Sequence, residues 1–232
     1  MTGQKPEVLT GRKIAISLFG FVLFWAILTD AWGYSAYIFS NCSSYIGAHV
    51  YGYLVRIVWV APAVFLIIKY STKLQYSKKA LFAKPKLNLS IGLASAISSL
   101  SVFVGMTSEH NGFWYNGEIA FGFEVVKYVV VGFVEETVFR GWGYNSLAHL
   151  MSHKKATIIS TLFFILLHIP AYIIRHIRFG TIALPAMLAQ CLTVLIFGIV
   201  FCWLLKKGKT IWNPIIVHAI YDLACVLFMG GT

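Results

Sequence analysis

The sequence is dominated by apolar runs that are as long as a lipid bilayer is thick. A helix needs about 17 to 25 mostly apolar residues to cross the hydrocarbon core, and about seven runs of this kind follow one another along the chain. We place them at residues 14–33, 50–68, 87–106, 119–140, 156–174, 181–205 and 210–229. A further apolar segment near residues 34–48 could add a partial or interfacial span, so the expected count is about six to eight. The sequence therefore predicts an all-α, polytopic transmembrane helical bundle.

Composition agrees with a membrane protein and argues against a soluble one. Of the 232 residues, 59% are hydrophobic and only 12% are charged. No repeat, low-complexity tract or Pro/Gly-rich linker divides the chain, so we expect a single integral-membrane domain over residues 1–232. The four cysteines have no paired spacing and are expected to be small buried hydrophobes. The seven tryptophans lie mostly near the ends of predicted spans, where we expect them to anchor the chain at the interface.

Basic residues predict the orientation of the chain in the membrane. Fourteen of the 19 lysines and arginines lie in alternate connections: Lys5, Arg12, Lys13, Lys69, Lys73, Lys78, Lys79, Lys84, Lys86, Lys154, Lys155, Lys206, Lys207 and Lys209. Only Arg175 and Arg178 lie in the intervening connections. By the positive-inside rule the N-terminus is cytoplasmic, and we expect a multi-pass protein of a cell membrane, the bacterial plasma membrane. The net charge of +11 is then explained by topology and anionic lipid, and not by a nucleic-acid partner.

Two adjacent carboxylates interrupt the fourth predicted span. Glu135 and Glu136 are followed by Arg140, and the chain has only eight Asp and Glu residues in all. Charges within a membrane span are costly and usually serve a function. The simpler alternative is that Glu136 and Arg140, four residues apart, form a satisfied buried ion pair.

Two further polar pairs have the same helical spacing. Phe164 and His168 share one face of the fifth span, and His218 and Asp222 share one face of the seventh. Each histidine alone is more often a hydrogen-bonded interior residue than a catalyst, and Phe164 is more often core. However, at a rise of about 1.5 Å per residue the glutamates and both histidines lie at a similar depth, roughly 15 to 20 Å from the predicted cytoplasmic edge. We therefore expect them to meet in one layer around a site that faces the cytoplasm.

These three motifs, in this order and in separate spans, resemble the CPBP family of CAAX proteases and bacteriocin-processing enzymes. The resemblance covers residues 119–229 and implies a glutamate-dependent intramembrane endopeptidase. By position, Glu135 and His168 would activate water for attack on a peptide carbonyl, and His218 with Asp222 would stabilise the oxyanion. Glu136, Arg140 and Phe164 would shape the site. Spacing alone does not distinguish the two glutamates.

Asp222 stands where many members of the family carry Asn, and it leaves alternatives open. An ionised carboxylate would repel an oxyanion, so Asp222 could be protonated, could orient His218, or could bind a metal. Glu, His, His and Asp in one layer would suit zinc, although the chain has no HExxH motif. We expect no cofactor, with zinc as the alternative.

Two other functions also fit a small membrane protein of this kind. A bacteriocin-immunity protein could bind a toxin or its receptor without cutting any bond, and a transporter could use the same acids as a proton relay. The absence of an inverted repeat disfavours the transporter. The expected partners of the protease are membrane lipid and a peptide or lipidated-protein substrate.

Overall fold

All regular structure in the described part of the chain is helical. The computed structural model describes residues 8–40, 45–109, 112–117, 121–180 and 184–228. The helices are α1 (Gly11–Ser40), α2 (Tyr45–Lys69), α3 (Lys78–Leu81), α4 (Leu87–Glu109), α5 (Phe121–Glu136), α6 (Asn145–Leu150), α7 (His153–Phe179), α8 (Leu184–Gly208) and α9 (Trp212–Phe228). A 3₁₀ turn covers Ser71–Lys73, and a π-helix, Thr137–Tyr144, joins α5 to α6.

Each of the seven predicted spans coincides with a helix, so the predicted helical bundle is confirmed. Within the described ranges, five helices are long and apolar enough to cross a membrane, with apolar windows at Gly11–Leu28, Gly52–Lys69, Leu87–Gly105, His153–Ile174 and Leu184–Gly208. The other two spans are the 16-residue α5, which the π-helix and α6 prolong, and the 17-residue α9. Residues 41–44, which include Cys42 and part of the predicted partial span, lie outside the described residues.

The connections rich in lysine come together at one end of the bundle, which we call the lysine-rich end (residues 69–86, 151–155 and 206–211). Lys86 Nζ donates to the carbonyl oxygen of Lys207 at 3.3 Å, which joins two of these connections. At the opposite end, Asn116 N donates to the carbonyl oxygen of Leu227 at 2.8 Å. This arrangement agrees with the alternation predicted from the sequence. The side chains of Arg175 and Arg178, the exception to it, lie outside the described residues.

Two tryptophans are exceptions to the interfacial role expected of most of the seven. Trp59 and Trp142 are 0% and 1% exposed and belong to the main hydrophobic cluster. Their ring N–H groups donate inside the bundle, from Trp59 to the carbonyl oxygen of Phe21 at 2.9 Å and from Trp142 to Ser17 Oγ at 2.8 Å. Because both indole N–H groups find partners on α1, these rings can pack between helices and need no interface.

The π-helix lies at the centre of this packing, and all eight of its residues are buried. Its widened turn is held from outside, because Ser160 Oγ on α7 donates to the carbonyl oxygen of Phe139 at 2.7 Å. A Cβ at Gly141 would lie 2.9 Å from Ile211 Cδ1, so glycine is what allows the π-helix to approach the start of α9 so closely. Such π-helical turns occur frequently at functional sites.

Candidate active site

All the polar residues that the motifs single out come together in the interior of the bundle. α5 ends with Glu135 and Glu136, the π-helix carries Arg140, α7 carries His168, and α9 carries His218 and Asp222. As predicted, the members of each pair spaced four residues apart lie on one face of their helix. The rings of Phe164 and His168 meet edge to face with centroids 5.1 Å apart, and His218 Nε2 lies 3.4 Å from Asp222 Oδ2.

Glu136 is the centre of a sealed cluster. Its Oε1 accepts from Arg140 Nη1 at 3.1 Å and from His218 Nδ1 at 3.0 Å. The side chains of Glu136 and Arg140 are both 0% exposed. The Arg140 guanidinium lies 4.1 Å from the ring centroid of Phe164 and 5.1 Å from that of Phe201, so two aromatic faces cover the cation. Glu136 therefore ties the π-helix to α9.

The two glutamates, which the sequence could not distinguish, have different environments. The side chain of Glu135 is 13% exposed, and its Oε2 lies 3.9 Å from His218 Nε2. The Glu135 carboxylate also interacts electrostatically with His168 and Asp222. Because Glu136 is fully enclosed and already paired, Glu135 is the carboxylate of the two that retains some access to water.

The tautomer of neutral His168 follows from its hydrogen bond. His168 Nδ1 lies 2.9 Å from the carbonyl oxygen of Phe164, and because a carbonyl oxygen can only accept, Nδ1 must carry the proton. In the neutral ring, Nε2 then has a lone pair. The half-buried His168 lines a cavity, so this lone pair is available to a molecule bound there.

His218 is enclosed by carboxylates. Its Nδ1 donates to Glu136, while Nε2 faces Asp222 and Glu135 at 3.4 Å and 3.9 Å. The ring stacks on Phe201 at 5.1 Å with an interplanar angle of 23°. With an acceptor beside each nitrogen, His218 is arranged to carry both ring protons. Of the roles left open for Asp222, the geometry favours orienting His218. Within the described residues, no group of three or more His, Cys, Asp and Glu side chains could hold a metal ion.

Two adjoining cavities extend from this cluster. The first, about 270 Å³, is lined by residues that include His168, His218, Asp222, Lys127 and Arg56. The second, about 320 Å³, shares Arg56, His168 and Gln190 with the first. In the sequence, Arg56 stands out only as a charge that the second span must tolerate, and Gln190 belongs to no motif that would identify it.

The cavities lie in the half of the bundle away from the lysine-rich end. Lys127 and Gln190 belong to the first halves of α5 and α8, and Tyr172 to the second half of α7. All three half-helices lie nearest the end that is poor in lysine, where α5 and α8 begin and α7 ends. The cavities therefore extend away from the lysine-rich, predicted cytoplasmic, end that we expected the site to face.

Comparison with known families gives a match over the part of the chain that carries these motifs. A family model described as type II CAAX prenyl endopeptidase Rce1-like matches residues 118–224. Residues 118–224 form an Rce1-like domain of the CPBP family. A comparison with curated proteins found no similar sequence. The Rce1-like domain begins one residue before the motif region predicted from the sequence and contains all seven predicted site residues.

The match at residues 118–224 and the long apolar helices point to the same class of protein. An Rce1-like domain supports intramembrane endopeptidase activity, and together with the long apolar helices it indicates a multi-pass membrane protein. Membrane-embedded proteases of this family imply a lipid environment and peptide substrates. The helices before residue 118 pack on this domain, since α2 contacts both α5 and the π-helix.

Proposed function

We propose that this chain is a glutamate-dependent intramembrane endopeptidase in which Glu135 is the general base. The observation that supports it best is that Glu135 lies 3.9 Å from His218 Nε2, while His218 and His168, on two further helices, line one cavity. General bases in proteins must be accessible to the proton they abstract. Glu135 meets this requirement and Glu136 does not, since Glu136 is sealed against Arg140.

Hydrolysis would begin with a water molecule held between Glu135 and His168. His168 Nε2 accepts a hydrogen bond from the water and orients it, while Glu135 takes the other proton as the oxygen attacks the peptide carbonyl carbon. The carbonyl oxygen becomes an oxyanion in a tetrahedral intermediate. Glu135 then returns its proton to the amide nitrogen, the C–N bond breaks, and the products are a new carboxyl terminus and a new amine.

His218 is the proposed donor to the oxyanion. A donor fixed in position before the reaction stabilises the developing negative charge without reorganising. Glu136 fixes the His218 ring through Nδ1, and Phe201 fixes its plane by stacking. We propose that Asp222, 3.4 Å from Nε2, orients His218 in the free enzyme, and that the Nε2 proton is then donated to the oxyanion, because Nδ1 already donates to Glu136.

The substrate class that the Rce1-like domain suggests is a lipidated protein or hydrophobic peptide, cleaved within the membrane. The bundle fits such a substrate, because large apolar residues such as Phe65 and Phe103 are exposed on its helices and would face lipid. A bacteriocin leader is an alternative peptide of similar character. A non-proteolytic immunity role would not require a base at position 135.

The decisive cellular experiment compares wild-type and Glu135→Gln protein at equal abundance in the source cell. We expect new peptide termini, measured by quantitative mass spectrometry, to be present with the wild type and absent with the variant. These termini would also identify the substrate. Identical termini together with an unchanged phenotype would overturn the protease proposal and favour a binding or immunity role.

The proposed reaction uses no metal ion. His168 and His218 each use Nδ1 in a hydrogen bond within the protein, which leaves Nε2 of both rings for water, the oxyanion or a metal ion. The metal-free mechanism predicts that dialysis of the purified protein against a chelator leaves the peptide-cleavage rate within about twofold of the untreated rate. A loss of activity that zinc restores would instead assign Glu135, His168, His218 and Asp222 as metal ligands.

A further inference from the structure

A groove between α7 and α8 lies outside the catalytic cluster and has no role in the proposed hydrolysis. It encloses about 410 Å³ and is lined by Tyr144, His153, Lys154, Thr157, Ile158, Ile199, Cys202, Trp203 and Lys206. We call it the α7–α8 groove. The first residues of α7 and the last turns of α8 form it, so it opens at the lysine-rich end.

The groove combines two cations with an apolar wall. Lys154 and Lys206 are exposed, and within the described part of the chain neither makes an ion pair with a carboxylate. Below them, Ile158 and Ile199 are 52% and 50% exposed. A ligand that pairs with the two lysines and also covers the apolar wall needs a negatively charged head and a hydrocarbon tail.

The position of the groove along the helices fits the boundary of a bilayer. The apolar window of α7 begins at His153 and that of α8 ends at Gly208. Trp203 is 46% exposed beside the groove, and tryptophan is enriched where hydrocarbon meets the headgroups. A phosphate at this level would meet lysine side chains, while acyl chains could follow Ile158 and Ile199 into the membrane.

We propose that the α7–α8 groove is a binding site for an anionic phospholipid, with the headgroup phosphate between Lys154 and Lys206. Basic pockets between transmembrane helices bind acidic lipid headgroups in this way. His153 supplies a further polar group, and its Nδ1 is 2.9 Å from the hydroxyl oxygen of Tyr144. The lipid would bridge α7 and α8, so its binding would stabilise the packing of these two helices.

The proposal is tested by titrating the purified full-length protein in neutral detergent with phosphatidylglycerol and following the thermal unfolding midpoint. Phosphatidylcholine serves as the uncharged lipid. We expect phosphatidylglycerol to raise the midpoint at lower concentration than phosphatidylcholine. A lysine near the headgroups contributes about fivefold in affinity, so the Lys154→Gln/Lys206→Gln variant should bind phosphatidylglycerol about 20- to 30-fold more weakly.

A matched variant, Lys79→Gln/Lys84→Gln, loses the same charge at the same end of the bundle but outside the groove. Both lysines are exposed in the connection between α2 and α4, and this variant should bind phosphatidylglycerol as the wild type does. Equal weakening in the two double variants would overturn the site, because it would mean a general attraction of the basic surface for acidic lipid. An absence of any preference for phosphatidylglycerol in the wild type would overturn it as well.

A second titration asks whether the phosphate belongs to a lipid headgroup or to a soluble compound. It uses inorganic phosphate and glycerol 3-phosphate, which carry the charge without acyl chains. We expect neither to shift the midpoint at millimolar concentration. A full shift by glycerol 3-phosphate would assign the groove to a soluble phosphate compound and overturn the lipid. Unfolding midpoints in phosphatidylcholine alone show whether each variant is folded, and the single variants Lys154→Gln and Lys206→Gln replace the double variant where it is not.

Discussion

The Glu135→Gln variant is expected to lose peptide-cleaving activity by about 10²- to 10⁴-fold, the range that removal of a general base produces. Glutamine has the same shape as glutamate but cannot take a proton from water. The Glu135 carboxylate lies 3.9 Å from His218 Nε2, a weak interaction that the amide can replace. The protein should therefore keep its unfolding midpoint while its kcat falls.

The matched control is Glu136→Gln, the same chemical change one residue later. Glu136 accepts two hydrogen bonds in a fully enclosed site, and the change removes the charge that balances Arg140. We expect a lower unfolding midpoint for this variant, because a buried charge is left without its partner. Both variants should be assayed in liposomes with an S-farnesyl peptide and with any peptide identified from the cellular termini. Full activity of Glu135→Gln would contradict its role as the base.

The sequence predicts the fold well because one physical requirement dominates it. A backbone segment in hydrocarbon must satisfy its own hydrogen bonds, so apolar runs of bilayer length become helices whatever their neighbours are. The predicted span at residues 119–140 shows where this argument stops. Its apolar character does not reveal that α5 gives way at Thr137 to a π-helix, whose carbonyl oxygen at Phe139 accepts from Ser160, a residue of another helix.

The candidate site could be located from the sequence but not resolved into roles. A spacing of four residues puts His218 and Asp222 on one face of a helix, and their observed contact follows from it. Which glutamate is sealed depends on the rotation of α5 against the π-helix and α9, which spacing does not specify. Arg56 and Gln190 line the cavities from separate helices, and nothing local in the sequence distinguishes them from other polar residues in spans. Trp142 is an exception to the interfacial role expected of most tryptophans, and spacing does not show this, since its hydrogen-bond partner on α1 is distant in the chain.

Removing the charge of Arg140 is expected to destabilise the protein strongly, because it leaves the buried carboxylate of Glu136 unpaired. An Arg140→Met variant leaves the carboxylate of Glu136 enclosed at 0% exposure without its cation, and breaking a buried pair in this way costs about 3–5 kcal/mol. Methionine retains much of the apolar contact with Phe164 and Phe201. The stability that the variant loses therefore measures the effect of the missing charge. The measurement is the thermal unfolding midpoint in neutral detergent.

The double variant Glu136→Gln/Arg140→Met separates the ion pair from the packing around it. With both charges absent no buried charge is unpaired, and the amide oxygen of the introduced glutamine can still accept from His218 Nδ1. We therefore expect the double variant to be more stable than Arg140→Met alone, with an interaction between the two positions of about 1–3 kcal/mol. If the stability lost by the double variant equalled the sum of the losses in the two single variants, Glu136 and Arg140 would not act as a pair. Glu136 also fixes His218, so the double variant should be assayed for peptide cleavage as well. If its stability is restored and it cleaves peptide, Arg140 serves the site by neutralising Glu136 and has no direct part in hydrolysis.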